Sequence, residues 1–171
     1  MSDTTRIDSN WRAGLLAYAP IVLWIGVIFF LSSGSGSMEE TSRFIGPLLR
    51  FLFPSSPEET IQFYHACIRK TAHFTEYGIL ALLASRAFIT SSFNYMRTRW
   101  FLIATVLVIL IASIDEFNQS FESSRTSSQY DVLLDTFGGA CAVGVVYLWR
   151  RFRKSRIDLK SPPRPDGSIP G

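Results

Sequence analysis

Segregation of charge constrains this chain more than any other feature. Uncharged apolar blocks alternate with short polar stretches, and the first block, Ala13 to Leu31, runs 19 residues without Lys, Arg, His, Asp or Glu. A hydrocarbon core of about 30 Å takes about 20 residues of helix, so this block has the length of a crossing. It exceeds the apolar region of a signal peptide, about 7 to 15 residues, and is expected to stay as a helix despite the small-residue run Ser32 to Ser37 behind it. Pro20 should bend it, which membrane helices tolerate.

Three more blocks follow: Thr71 to Ile89, Trp100 to Ile114, and Val132 to Trp149. The first of these ends a longer helix that opens at Ser56-Pro57-Glu58-Glu59, where Ser56 is expected to cap, Pro57 to take the first helical position and Glu59 to reach back. Arg43 to Phe53 is too short and too charged to span and suits an amphipathic segment lying at the interface. The chain is 47% apolar and 18% charged, with mean hydropathy +0.19, a balance foreign to ordinary soluble domains. An all-α polytopic membrane bundle of about four transmembrane helices is therefore expected. The expected division is a cytoplasmic N-terminus (1–12), a transmembrane domain (13–150) and a basic, proline-rich, disordered cytoplasmic tail (151–171).

Lys and Arg counts beside the blocks set orientation. Arg6 and Arg12 precede the first, Arg97 and Arg99 precede the third, and Arg150, Arg151, Arg153, Lys154 and Arg156 follow the fourth, whereas the loop between the last two holds only Arg125. Both termini should face the cytoplasm across an inner membrane. Arg43, Arg50, Arg69 and Lys70 dilute the bias in the first external segment, where four glutamates accompany them. The basic run after the fourth block reads as a topology anchor facing anionic lipids, so the net charge of +3 and pI near 9.1 do not point to nucleic acid.

With four alternating crossings, three polar helix ends fall on the non-cytoplasmic side. Arg69, Lys70, His73 and Glu76 open the second span, Asp115, Glu116 and Gln119 close the third, and Asp131 and Asp135 open the fourth behind Arg125. Arg69, His73 and Glu76 are spaced i, i+4, i+7, Asp115 and Gln119 i, i+4, and Asp131, Asp135 and Gly138 i, i+4, i+7, so each helix can aim one polar stripe at the others. Ionisable groups at membrane depth are costly unless paired or lining a cavity, and mark candidate sites.

These residues also carry a resemblance. R-K-x-x-H-F-x-E-Y from Arg69 to Tyr77, D-E-x-x-Q from Asp115 to Gln119, Arg125, and D-x-x-x-D-x-x-G from Asp131 to Gly138 resemble the VanZ-like membrane proteins, named for a teicoplanin-resistance factor. The likeness covers about Arg69 to Gly144. It implies a multi-spanning membrane protein with a link to glycopeptide resistance in some members, and no defined reaction. The family usually has Asn where this chain has Asp135, which adds a carboxylate.

Several roles suit the cluster. It can be a lattice of ion pairs that fixes helix ends and register. Arg69, Lys70 and Arg125 can meet the phosphate of an anionic lipid headgroup, such as a lipid-linked cell-wall precursor, since guanidinium offers a bidentate fork and ammonium a point charge. His73 with Glu76 or Asp115 can act as an acid–base pair on such a lipid. A metal held by His73, Glu76, Glu116 and Asp131 would suit a helical bundle, but it has one histidine, with His65 two turns upstream and cations alongside. Neither metal nor other cofactor is expected. No phosphate loop, G-x-S-x-G, H-E-x-x-H or C-x-x-C occurs, so binding is expected before catalysis.

The remaining features read as packing. Cys67 and Cys141 lie at different depths and should not bridge. Gly138-x-x-x-Ala142 and Ala140-x-x-x-Gly144 are small-residue faces for close helix approach. Trp11, Trp100 and Trp149 stand near block ends and suit an aromatic belt.

Overall fold

The structure is a computed structural model that describes residues 3–33, 38–121 and 129–160. The described residues form six helices: α1 (Asp3–Ser32), α2 (Met38–Leu52), α3 (Glu58–Ile89), α4 (Asn94–Thr98), α5 (Trp100–Gln119) and α6 (Gln129–Lys160). The all-α expectation holds. Two helices are long and apolar enough to cross a membrane, α5 and the Tyr130–Arg156 part of α6, while the apolar stretch of α1, Leu16–Ser32, is shorter. Burial separates the two from core helices of a soluble protein, since only 39% and 22% of their apolar windows are buried. Their outer faces expose Leu102, Val106 and Leu110 on α5 and Leu133, Phe137 and Val145 on α6.

Three helices, α3, α5 and α6, pack against one another, and α1 lies against α3 and α5. Two polar layers fix their directions. At one end Tyr18 of α1 donates to Ser91 just past α3 at 3.1 Å, and at the other Ser32 of α1 and Tyr77 of α3 both reach Asp115 of α5. Fourteen residues separate Tyr18 from Ser32 and Ser91 from Tyr77, and fifteen separate Trp100 from Asp115. The layers are therefore about 21 Å apart along antiparallel neighbours, at about 1.5 Å per residue.

Small side chains make the core thin. Ala81, Ala84 and Ala87 of α3 and Ala104 and Ala112 of α5 are fully buried beside Leu80, Val108 and Ile28. Gly138 and Gly139 of α6 are buried too: a Cβ on Gly138 would run into the backbone carbonyl of Phe74, and one on Gly139 would meet Val108 Cγ1 at 2.6 Å. Such contacts let backbones approach where apolar side chains gain little by leaving lipid. The Gly138-x-x-x-Ala142 face thus packs inside the chain, since Ala142 also lies against the core. The second small-residue face does not: Ala140 is exposed and nothing stands within 4 Å of a Cβ at Gly144.

The segment expected to lie at the interface falls within a helix, α2, that packs on α3 alone among the described helices. Leu49 of α2 and Ile61 of α3 are buried, Phe53 and Tyr64 rings stand 5.2 Å apart, and Arg50 reaches Glu58 at 2.9 and 3.1 Å. Leu48, Phe51 and Leu52 remain exposed.

Other expectations need correction. No side chain caps α3: Pro57 occupies the N-cap at φ −55° and ψ 150°, and its carbonyl accepts from Thr60 at 3.0 Å and Ile61 at 3.3 Å, which moves the start one residue beyond the expected box. Helix α6 continues to Lys160 through the basic run, so residues 151–160 are helical rather than a disordered tail; Arg and Lys favour helix, and the first proline after them is Pro162. The helix α5 reaches Gln119, five residues beyond the expected span end. Trp100 is buried in the core instead of facing a belt, and Cys67 and Cys141 are exposed instead of packed. The Ser-rich connector 34–37, the tail 161–171 and the side chain of Trp11 lie outside the described residues.

Candidate functional site

The polar end of the bundle is built around one buried carboxylate. Asp115 on α5 is 1% exposed, and its Oδ2 accepts from Ser32 Oγ at 2.8 Å, Gln119 Nε2 at 2.9 Å and Tyr77 Oη at 3.0 Å. Gln119 stands one turn after Asp115 and also approaches Ser32 Oγ at 3.4 Å. Helical spacing explains the convergence: Tyr77 continues the stripe of Arg69 and His73 at i+8, and Gln119 follows Asp115 at i+4. Three helices are thus tied at one oxygen. Trp24 of α1 adds a fourth tie by donating from Nε1 to the Glu76 carbonyl at 2.9 Å.

A second group lies between α3 and α6. His73 Nδ1 stands 3.7 Å from Oδ1 of Asp135, which is 2% exposed, and Lys70 Nζ stands 3.7 Å from Asp131 Oδ1. The i, i+4 pair Asp131 and Asp135 on α6 therefore faces Lys70 and His73 on α3. These residues, with Arg69, Tyr130, Ala66 and Leu134, line a cleft of about 360 Å³. Arg69 is half-buried in its wall, and among the described residues it has no carboxylate within ion-pair distance. The Asp135 Oδ1 atom is buried and accepts no hydrogen bond among the described residues.

Placement of the expected residues is uneven. Asp115 and Gln119 share the knot, and Arg69, Lys70, His73, Asp131 and Asp135 share the cleft. Glu116 is buried on α5 and Glu76 half-buried on α3. The carboxylate that stands 3.7 Å from His73 Nδ1 is that of Asp135, a pairing not among those expected of this histidine. Arg125 lies outside the described residues. Among these, no three His, Cys, Asp or Glu side chains converge to hold a metal ion.

Two members of the knot escape a reading based on charge. Ser32 looks like the first residue of a flexible connector, and Tyr77 counts as apolar. Periodicity could have found Tyr77, which extends the Arg69 and His73 stripe by one more turn. Nothing in the sequence distinguishes Ser32 from the serines after it.

A family model described as VanZ/LLP1 matches residues 16–150. The chain belongs to the VanZ/LLP1 family. The match extends the likeness from the three motif-bearing helices back into α1, and so takes in Trp24 and Ser32 of the knot. Membership and the two apolar, outwardly exposed helices together support a membrane protein. No curated protein and no solved structure matches the chain.

Proposed function

We propose that this chain is a four-span protein of the cell envelope that holds an anionic lipid-linked or cell-surface component in the cleft between α3 and α6, at the non-cytoplasmic face. The observation that carries this is Arg69, a half-buried guanidinium in the wall of a cleft where the other strong cation, Lys70, already has a carboxylate partner. In this largely polar lining, where Lys70 and His73 stand against Asp131 and Asp135, the guanidinium of Arg69 is left to meet a phosphate or carboxylate approached from the membrane surface. A link to glycopeptide resistance, teicoplanin above all, follows from the family. Arg69→Ala is expected to abolish both the co-purification of an anionic lipid-linked component and any teicoplanin phenotype, with membrane levels of the protein unchanged. An unchanged lipid and phenotype would overturn the proposal.

The His73 and Asp135 pair favours a second reading, a reaction on the headgroup with His73 moving the proton. It separates from binding in one experiment: Asp135→Asn, which removes the carboxylate, should keep the co-purified lipid and lose the phenotype if chemistry is involved, and keep both if binding suffices.

The four crossings would be α1, α3 from about Thr71, α5 and α6, with both termini cytoplasmic. Reporter fusions at Ser37 and Ser124 are expected to read as non-cytoplasmic, and those at Asn94 and the C-terminus as cytoplasmic. A cytoplasmic Ser124 would sink the placement of the cleft.

A further inference from the structure

The end of the bundle away from the Asp115 knot carries unbalanced charge. No Asp or Glu occurs from Tyr77 to Ile114 or from Thr136 to Ile157, while Arg86, Arg97, Arg99, Arg150, Arg151, Arg153, Lys154 and Arg156 all fall in those stretches, with Asp158 next after the second. Where α6 passes the start of α5, a cleft of about 540 Å³ opens. Trp100, Tyr147 and Trp149 supply its aromatic walls, and Arg150, Arg151, Arg153 and Lys154 its charges. That volume is in the range of about 300 to 1,000 Å³ usual for ligand sites.

The arrangement is more specific than a topology anchor needs. Orientation depends only on how many Lys and Arg stand near a span, and a disordered basic tail would serve. Here the helix continues through the run, so Tyr147, Arg150, Arg151 and Lys154 share one face at i, i+3, i+4, i+7. Arg153 is held over the Trp149 ring, 5.5 Å from its centroid, which fixes a guanidinium at the rim. Phe101 and Tyr147 stand 6.1 Å apart edge to face and close the side toward α5. Among the described residues, four cations and no carboxylate line the cleft.

We infer that this cleft is a binding site for the phosphate-bearing headgroup of an anionic phospholipid, separate from the cleft between α3 and α6. A lipid is favoured over a soluble phosphate because α5 and α6 continue from the cleft into exposed apolar surface, with Leu102, Val106, Val145 and Leu148 outward, where acyl chains can lie. Four cations suit a headgroup of two negative charges better than one. The inference rests on the membrane reading of α5 and α6 and is independent of what the other cleft holds.

The test is native mass spectrometry of the full-length protein in detergent, titrated with cardiolipin, phosphatidylglycerol, phosphatidylcholine or inorganic phosphate. Cardiolipin is expected to bind tightest and phosphatidylcholine least, with inorganic phosphate a poor competitor. Replacing Arg150, Arg153 and Lys154 together with Gln should weaken cardiolipin roughly a hundredfold, at about fivefold per cation near a membrane surface. Trp149→Leu and Arg153→Lys keep the charge count, and so the orientation, and each should weaken it at least about threefold through lost stacking or lost bidentate contact. These two variants carry the test where the triple variant folds poorly. Arg69→Ala should leave cardiolipin binding unchanged, which separates this site from the proposed function. Equal binding by wild type and both single variants would overturn the inference, as would phosphatidylcholine binding equal to cardiolipin. Competition by millimolar inorganic phosphate would assign the cleft to a soluble phosphate compound and overturn it too.

Discussion

Replacing Gly138 with alanine is expected to lower the melting temperature of the purified protein by roughly 6 to 12 °C, a cost of about 3 kcal/mol. The added methyl would run into the Phe74 carbonyl, with its carbon and Cα each 3.1 Å away, so relief requires moving one helix backbone against another. Overpacking usually costs about 1 to 3 kcal/mol, and the upper end applies because no side chain can rotate aside. The gain in helix propensity from Gly to Ala, about 1 kcal/mol, does not cancel it. Two controls isolate the cause. A Cβ on Gly78 would sit 3.7 Å from the Gly138 carbonyl, an ordinary contact, and one on Gly144 would meet nothing within 4 Å, so both alanine variants should melt at or a few degrees above wild type. A Gly138→Ala protein as stable as these controls would mean that α3 and α6 do not cross as closely as described. Thermal unfolding followed by tryptophan fluorescence in detergent gives the measurement.

That crossing shows how far the sequence could be read. Helix identity was legible because uncharged blocks, turn residues and charge clusters repeat along the chain, and every block fell within a helix. Ends were less legible. The helix α5 continues past the last apolar residue, Ile114, because Asp115, Glu116 and Gln119 keep helical geometry once their side chains are buried at a helix contact, whereas hydropathy reads the first acid as the edge of the membrane. The helix α6 continues past Trp149 for a different reason: arginine and lysine end a membrane block without ending a helix. Burial within a block was not legible at all. Trp100 packs inward and Cys141 outward, and a helix apolar on every side does not announce which face meets protein and which meets lipid.

The candidate site was legible as a set of stripes and not as a set of pairs. Spacing aims Arg69 and His73 in one direction and Asp131 and Asp135 in another, but it leaves helix rotation open. Rotation is settled by Gly78, Gly138 and Gly139, which draw α3, α5 and α6 together and turn His73 to Asp135 and Tyr77 to Asp115. Asp135 supplies the carboxylate that stands beside His73, the one histidine lining the cleft among the described residues. The cations divide as well. Lys70 stands 3.7 Å from Asp131, while Arg69 has no carboxylate within ion-pair distance among the described residues.

Asp115→Ala should be the most damaging single change at the polar end, costing about 4 kcal/mol or more. Removing the carboxylate leaves Ser32, Tyr77 and Gln119 to lose their shared acceptor at once, and a buried donor deprived of its partner costs about 1 to 3 kcal/mol. The opposing effect is relief of carboxylate burial, which is several kcal/mol for a bare ion. Here three donors converge on one carboxylate oxygen and reduce that relief, and the alanine also leaves a void at a buried position. The loss therefore wins. Tyr77→Phe removes one donor and keeps the ring, so it should cost only about 1 kcal/mol, and Asp115→Asn should fall between because it keeps the shape and one carbonyl oxygen. Asp115 is buried within the protein, so water does not reach the knot to replace the lost acceptor. The expected order of melting temperatures is wild type, Tyr77→Phe, Asp115→Asn, then Asp115→Ala. An Asp115→Ala protein as stable as wild type would mean that the three donors find other partners and that α1, α3 and α5 are held together by their apolar faces alone.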